Sequence, residues 1–181
     1  MKKLIFIIIA VSILCFLLIK RNNRLELEDL SARACWLTTK QQLSRKAKEK
    51  VEEMIANAEN DGMCLVVMSG YRSPERQAEL LEMASPEEKK YIAQPEESEH
   101  QTGTAVDLTA CPMKDGKRDD TVERLELKKD FNELPEYQWM LENAHKYGFY
   151  ESYPEGNGKF PYEPWHWKYK NWLEKLISER R

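Results

Sequence analysis

Two short segments of the chain hold most of its chemically useful side chains. The first, Ser98-Glu99-His100-Gln101-Thr102-Gly103-Thr104-Ala105-Val106-Asp107, offers an imidazole and, seven positions on, a carboxylate. The second is Glu163-Pro164-Trp165-His166-Trp167. Two neutral imidazoles and one carboxylate make a three-ligand site for zinc, with the fourth position open to water. Zinc lowers the pKa of such a water toward about 7. Glu163 is left over, three residues before His166. There it can take a proton and later hand it to a leaving amine.

Taken singly, each of these residues has a plainer reading. A lone histidine is more often packed or at the surface than a ligand. His145, on an expected helix with no partner motif, is left outside the site. Asp107 falls in an expected strand, where aspartate is depleted and costly if buried without a partner; a metal ion removes that cost. The plain alternative for Glu163 is a surface carboxylate. Arg72 follows a Gly70-Tyr71 turn directly after an apolar run. A guanidinium there can bind a carboxylate or steady a developing oxyanion, or it is an ordinary turn arginine. Pro164 restrains the backbone after Glu163, and Trp165 and Trp167 can shield the site from water.

The elements that must position these residues follow from periodicity and punctuation. From Thr39 to Asn60, Leu43, Ala47, Val51, Met54, Ile55 and Ala58 recur at threes and fours, which predicts an amphipathic helix capped by Thr38 or Thr39 and ended by Asp61-Gly62. Met63 to Met68 reads as a buried strand. Pro74 suits the first turn of a helix running to Met83, and a short helix is expected within Pro86 to Ile92. Thr104 to Thr109 alternates as a strand, with Asp107 on the face opposite Val106 and Leu108. Cys111 to Leu134 is charged and irregular. Pro135 to Tyr147 is a second good helix with Gly148 as its stop. Phe149 to Tyr162 reads as a loop, Trp165 to Tyr169 as a strand and Trp172 to Ile177 as a closing helix. Strands and helices come mixed, without a βαβ rhythm or a phosphate-binding glycine loop. The expected class is therefore α+β, a small, mainly antiparallel sheet with flanking helices.

The N-terminus is different in kind. Leu4 to Ile19 is almost wholly apolar and is flanked by Lys2-Lys3 and Lys20-Arg21. As a helix it reaches about 24 Å at 1.5 Å per residue, a little short of a ~30 Å hydrocarbon core. Residues 1–21 read as a membrane anchor or signal segment, and the lack of a small-x-small cleavage site favours the anchor. Residues 22–36 read as a linker and 37–181 as one folded domain, about 150 residues around one core. The net charge of -3 with mixed signs, and no basic stripe, argues against nucleic acid as a partner. None of Cys15, Cys35, Cys64 and Cys111 is paired at C-x-x-C spacing, which argues against a zinc knuckle. Cys64 reads as core. Cys35 and Cys111 are candidates for a disulfide if the domain lies outside the cytoplasm, with free thiols as the plainer alternative.

Three ordered motifs carry a resemblance. Ser69-Gly-Tyr-Arg-Ser73 with Gln77, Ser98-x-His100-x-x-Gly103-x-Ala105-x-Asp107, and Glu163-Pro-Trp-His166-Trp resemble the VanY-type zinc D-alanyl-D-alanine carboxypeptidases. The stretch Trp139-x-x-x-Asn143-Ala144-x-x-Tyr147-Gly148-Phe149 is similar to that family too. The resemblance covers Leu37 to Tyr169. It implies the fold shared by lysostaphin-type peptidases, D-Ala-D-Ala peptidases and the hedgehog N-terminal domain. It implies His100, Asp107 and His166 as zinc ligands and Glu163 as catalytic base. It implies that Arg72 stabilises the scissile carbonyl or binds a substrate carboxylate, with Gln77 and Ser98 as further substrate contacts. Taken with the apolar leader, the expectation is a monomeric, membrane-held, extracytoplasmic enzyme that trims the terminal D-alanine from peptidoglycan stem peptides. Two alternatives stay open: an L,D-carboxypeptidase acting on shortened stems, and a non-catalytic wall-binding module. The sequence departs from the family at Glu97, where a glycine often stands, and at Lys168 and Lys170-Asn171, where the usual ending is Arg-Tyr-Val-Gly.

Overall fold

The computed structural model of the chain describes residues 25–35, 40–115, 117–118, 129–156, 158 and 160–178. The apolar leader and the expected caps Thr38 and Thr39 lie outside them. Among the described residues no helix is long and apolar enough to cross a membrane.

In chain order the elements are β1 (Leu27–Asp29), β2 (Gln42–Ser44), α1 (Arg45–Asn60), β3 (Leu65–Ser69), α2 (Pro74–Met83), β4 (Ala105–Ala110), β5 (Met113–Lys114), β6 (Lys117–Arg118), α3 (Pro135–Asn143), β7 (Phe149–Glu151), β8 (His166–Tyr169) and α4 (Trp172–Ser178). Single 3₁₀ turns occur at Lys89–Tyr91, Glu99–Thr102, Lys129–Glu133 and Ala144–Tyr147. The central sheet has the order β3-β4-β8-β7, and all its pairings are antiparallel. Two small hairpins, β1-β2 and β5-β6, flank it. The α+β expectation holds.

One face of the sheet meets the helices. Val67, Val106 and Leu108 join Ala47, Val51, Met54, Ile55 and Ala58 of α1 and Tyr137, Trp139 and Met140 of α3 in one core. The three-and-four spacing on α1 is the reason it packs there. Trp139 donates its indole N–H to Asp61 at 2.8 Å, which ties α3 to the end of α1. α3 passes into a 3₁₀ turn and stops at Gly148, with φ 84°, where a Cβ would lie 2.9 Å from the Tyr169 ring. The positive φ and the close approach both require glycine.

Several local expectations give way to tertiary pairing. α1 begins at Arg45, after Ser44, and Gln42–Ser44 pairs with β1 instead of extending the helix. Leu43 is buried in this strand, so its apolar character fits both phases. The linker reading of residues 22–36 fails over Leu27–Cys35, which supplies β1 and buries Leu30, Ala34 and Cys35. Phe149–Glu151, expected as loop, is edge strand β7, paired with β8. Neither the candidate Cys35–Cys111 pairing nor free thiols throughout is found: Cys64, read as core, forms a disulfide with Cys111. Cys35 is a buried free thiol. Cys64 and Cys111 flank the register pair Leu65↔Ala110, which sets their Cα atoms 5.3 Å apart, within disulfide reach.

Candidate active site

The second face of the sheet carries the polar cluster. Asp107 is central in β4, on the face opposite Val106 and Leu108. His166 opens β8 and is the register partner of Asp107. On the other side, β3 bulges between Val67 and Ser69, so that Ser69 stands opposite Asp107. A bulge re-aims the strand that contains it; here it delivers Ser69 and the following turn to the site. His100 lies on the 3₁₀ turn Glu99–Thr102, which Gly103 closes at φ 66° before β4 begins. That short path brings His100 back over Asp107.

The three side chains meet. Asp107 Oδ2 is 3.2 Å from His100 Nε2, and Asp107 Oδ1 is 2.9 Å from His166 Nδ1. His100, Asp107 and His166 are 4%, 4% and 3% exposed, so this carboxylate has left water almost entirely. Burial works against its charge, but the two imidazoles outweigh burial and hold its pKa well below the usual carboxylate range. One ligand atom from each residue lies within 4.8 Å of the others. His100 turns its Nδ1 to the Gly70 carbonyl at 2.7 Å, which leaves Nε2 facing the cluster. A buried two-nitrogen, one-oxygen donor set, with one imidazole already oriented from behind, suits a zinc ion.

Around this cluster lies a cleft of about 700 Å³. The expected metal ligands, base and substrate contacts all line it: Arg72, Gln77, Ser98, His100, Asp107, Glu163 and His166. His145 is exposed elsewhere. Arg72 Nη2 is 3.8 Å from Asp107 Oδ2 and donates to Ser69 Oγ at 2.8 Å, while Nη1 donates to Gln77 Oε1 at 3.0 Å. Gln77 is itself buried and donates to the Ala93 carbonyl at 2.7 Å. The guanidinium is therefore fixed in plane beside the triad. Gln77, expected as a substrate contact, also holds Arg72 through its amide oxygen.

Glu163 is buried in the turn that leads into β8. Its amide donates to the Tyr153 carbonyl at 3.2 Å, and its own carbonyl accepts from His166 N–H at 3.0 Å. Burial pushes its carboxyl up to about 7. A carboxyl near neutrality is suited to passing protons. Trp165 lines the cleft and meets Tyr91, with ring centroids 6.4 Å apart. Trp167 points away and packs in the core against Tyr137.

Two participants escaped the sequence reading. Glu99 reaches His166 Nε2 at 3.1 Å, and its other oxygen accepts from Lys168 Nζ at 2.9 Å. Burial opposes its charge, yet His166, Ser152 and Lys168 together hold its pKa down to about 2. Tyr153 stacks on His166 with centroids 4.9 Å apart and planes 29° apart. Glu99 adjoins His100 in the first motif, but only the folded sheet brings it to a residue 67 positions away.

The chain is similar to several known proteins. The Bacillus subtilis (strain 168) protein YodJ is 33% identical over 138 residues, 72% of this chain and 47% of that protein. The structure of the LdcB LD-carboxypeptidase matches with a TM-score of 0.59 and 31% identity, over 77% of this chain and 64% of that one. The vancomycin-resistance D,D-pentapeptidase VanY, solved in complex with Zn(II), matches with a TM-score of 0.60 and 26% identity, over 86% of this chain and 84% of that one. The chain spans about half the length of the first curated relatives it matches. Residues 40–172, which hold all three motifs and the whole central sheet, match the family model for VanY, D-alanyl-D-alanine carboxypeptidase, and the chain belongs to that family.

Proposed function

We propose that this chain is a zinc-dependent D-alanyl-D-alanine carboxypeptidase that removes the terminal D-alanine of peptidoglycan stem peptides. The observation that carries this reading is the meeting of His100, Asp107 and His166 in one cleft with Arg72 and Glu163. In it, His100, His166 and Asp107 would hold the zinc. When bound, zinc polarises the scissile carbonyl and makes a water acidic. Glu163 accepts a proton from the attacking water and delivers it to the nitrogen of the departing D-alanine as the C–N bond breaks. Arg72, 3.8 Å from Asp107, is close enough to the triad to donate to the carbonyl oxygen as charge grows there. Ser69 and Gln77 hold that guanidinium so that it need not reorganise during the reaction. Buried Ser98 and the aromatic wall of Tyr91, Trp165 and Tyr153 bound the substrate and exclude bulk water.

A second reading is cleavage of the L,D bond of a shortened stem, and the likeness to the LdcB LD-carboxypeptidase favours it. The test is mass spectrometry of synthetic stem peptides after incubation with the zinc-loaded domain. Release of alanine from a peptide ending in D-Ala-D-Ala, but not from one ending in L-Lys-D-Ala, supports the first reading. The reverse supports the second, and no release from either leaves a binding module.

We also infer an anchored, extracytoplasmic domain. The apolar run Leu4 to Ile19 supports the anchor, and the Cys64–Cys111 disulfide suits an oxidising compartment. A phosphatase reporter fused after Arg181 tests it: the reading expects activity in intact cells, and a reporter active only inside the cell overturns it.

A further inference from the structure

We infer that Glu99, pinned by Lys168, is the positioning residue that fixes the tautomer and orientation of His166 for metal binding. This rests on the reading that the triad holds zinc. An imidazole that gives one nitrogen to a metal must carry its proton on the other. His166 faces a carboxylate at each ring nitrogen, with Nδ1 2.9 Å from Asp107; a metal taking the place of the Nδ1 proton would leave the ring's one proton on Nε2. That atom meets Glu99 Oε2 at 3.1 Å. Without an acceptor there, the neutral ring is free to put the proton on Nδ1, where no metal could then bind.

The two histidines are oriented by different devices. His100 donates to a backbone carbonyl, that of Gly70, which no side-chain substitution removes. His166 depends on one carboxylate. Glu99 is three-quarters or more buried, and its second oxygen accepts from Lys168 Nζ, itself largely covered. Lys168 stands two residues after His166 on β8 and so projects from the same face of the strand. Tyr153 stacks on the plane of the imidazole. The ring is thus held at its far nitrogen and across its plane. Glu99 also adjoins His100, so one residue couples the first motif to the last strand. Lys168 gives Glu99 a single point contact, at 2.9 Å.

The test is zinc affinity, measured by competition with a chromophoric chelator on the purified domain, together with the absorption spectrum of the cobalt(II)-substituted protein. Loss of an outer-shell partner of a metal-bound histidine typically weakens metal binding about 10–100-fold. Glu99→Ala is expected to fall in that range and to change the cobalt spectrum. Glu99→Gln, which keeps a neutral acceptor, is expected to lose less. Lys168→Arg should bind as the parent does, and Lys168→Met should weaken binding by a smaller factor than Glu99→Ala. Glu97→Gln, at the neighbouring exposed position, serves as the unchanged control. If Glu99→Ala does not fold, Glu99→Gln and Lys168→Met still decide. Parent-like affinity with an unchanged cobalt spectrum in those variants, even alongside a lower melting temperature, would reduce Glu99 to a structural role and overturn the inference. A parent protein that binds no zinc would overturn the metal reading itself.

Discussion

Asp107 and His166 are register partners on adjacent antiparallel strands, and their side chains meet at 2.9 Å although 59 residues separate them in sequence. The candidate site is built on this rung. β3 adds Ser69 on the other side of Asp107, and the turn after it adds Arg72. Sheet positions hold their side chains more tightly than loops do, which is what a metal site requires.

His100→Ala, Asp107→Ala and His166→Ala should each lose zinc on dialysis against a mild chelator, while the parent retains it. Metal content by atomic emission is the measurement. Full retention in any one variant would remove that residue from the ligand set.

Arg72→Lys keeps the charge but gives up the fork that bonds Ser69 and Gln77 together. We expect kcat/KM for D-alanine release to fall by about 10²–10³-fold, the usual cost of losing a donor to a developing oxyanion. Parent-like kcat/KM would leave Arg72 only a role in shaping the turn.

Gly70 couples the frame to the site. A Cβ there would lie 2.6 Å from the Gln42 carbonyl oxygen, and the Gly70 carbonyl is the acceptor for His100. Gly70→Ala must push two backbone segments apart, at a cost of about 1–3 kcal/mol. It should lower the denaturation midpoint and weaken zinc binding together. A loss of stability with unchanged zinc affinity would uncouple the two.

The Cys64–Cys111 bond closes a 47-residue separation that contains Arg72, Gln77, Ser98, His100 and Asp107. Loop-closure entropy assigns it about 4 kcal/mol. Reductant, or Cys64→Ser, should lower the denaturation midpoint accordingly, whereas Cys35→Ser should not respond to reductant differently from the parent. Equal midpoints with and without reductant would refute this.

Where local signals were strong, the sequence was a good guide. Pro74–Met83 has its helix ends as expected, because Ser73 caps Arg76 N–H and Pro74 occupies the first turn. The β4 strand and the side on which Asp107 stands also follow from alternation alone. What stayed hidden depends on partners far along the chain. Leu25-Glu-Leu-Glu-Asp-Leu30 alternates like a strand, but its charge made it resemble a linker until β2 lay beside it. The disulfide partner of Cys111 depends on the β3–β4 register, which no single segment encodes. Glu99 was in plain view beside His100, yet its role depends on β8 returning alongside β4.

The most direct test of the whole account is D-alanine release from a stem peptide ending in D-Ala-D-Ala, by the zinc-loaded parent and by Glu163→Gln, with zinc content measured on the same samples. Glutamine keeps the size and polarity of Glu163 but cannot accept the proton. The parent should release one D-alanine per peptide. The variant should keep its zinc and its KM, with kcat reduced about 10²–10⁴-fold. A Glu163→Gln protein active within a few-fold of the parent, or a zinc-loaded parent that releases no D-alanine, would contradict it.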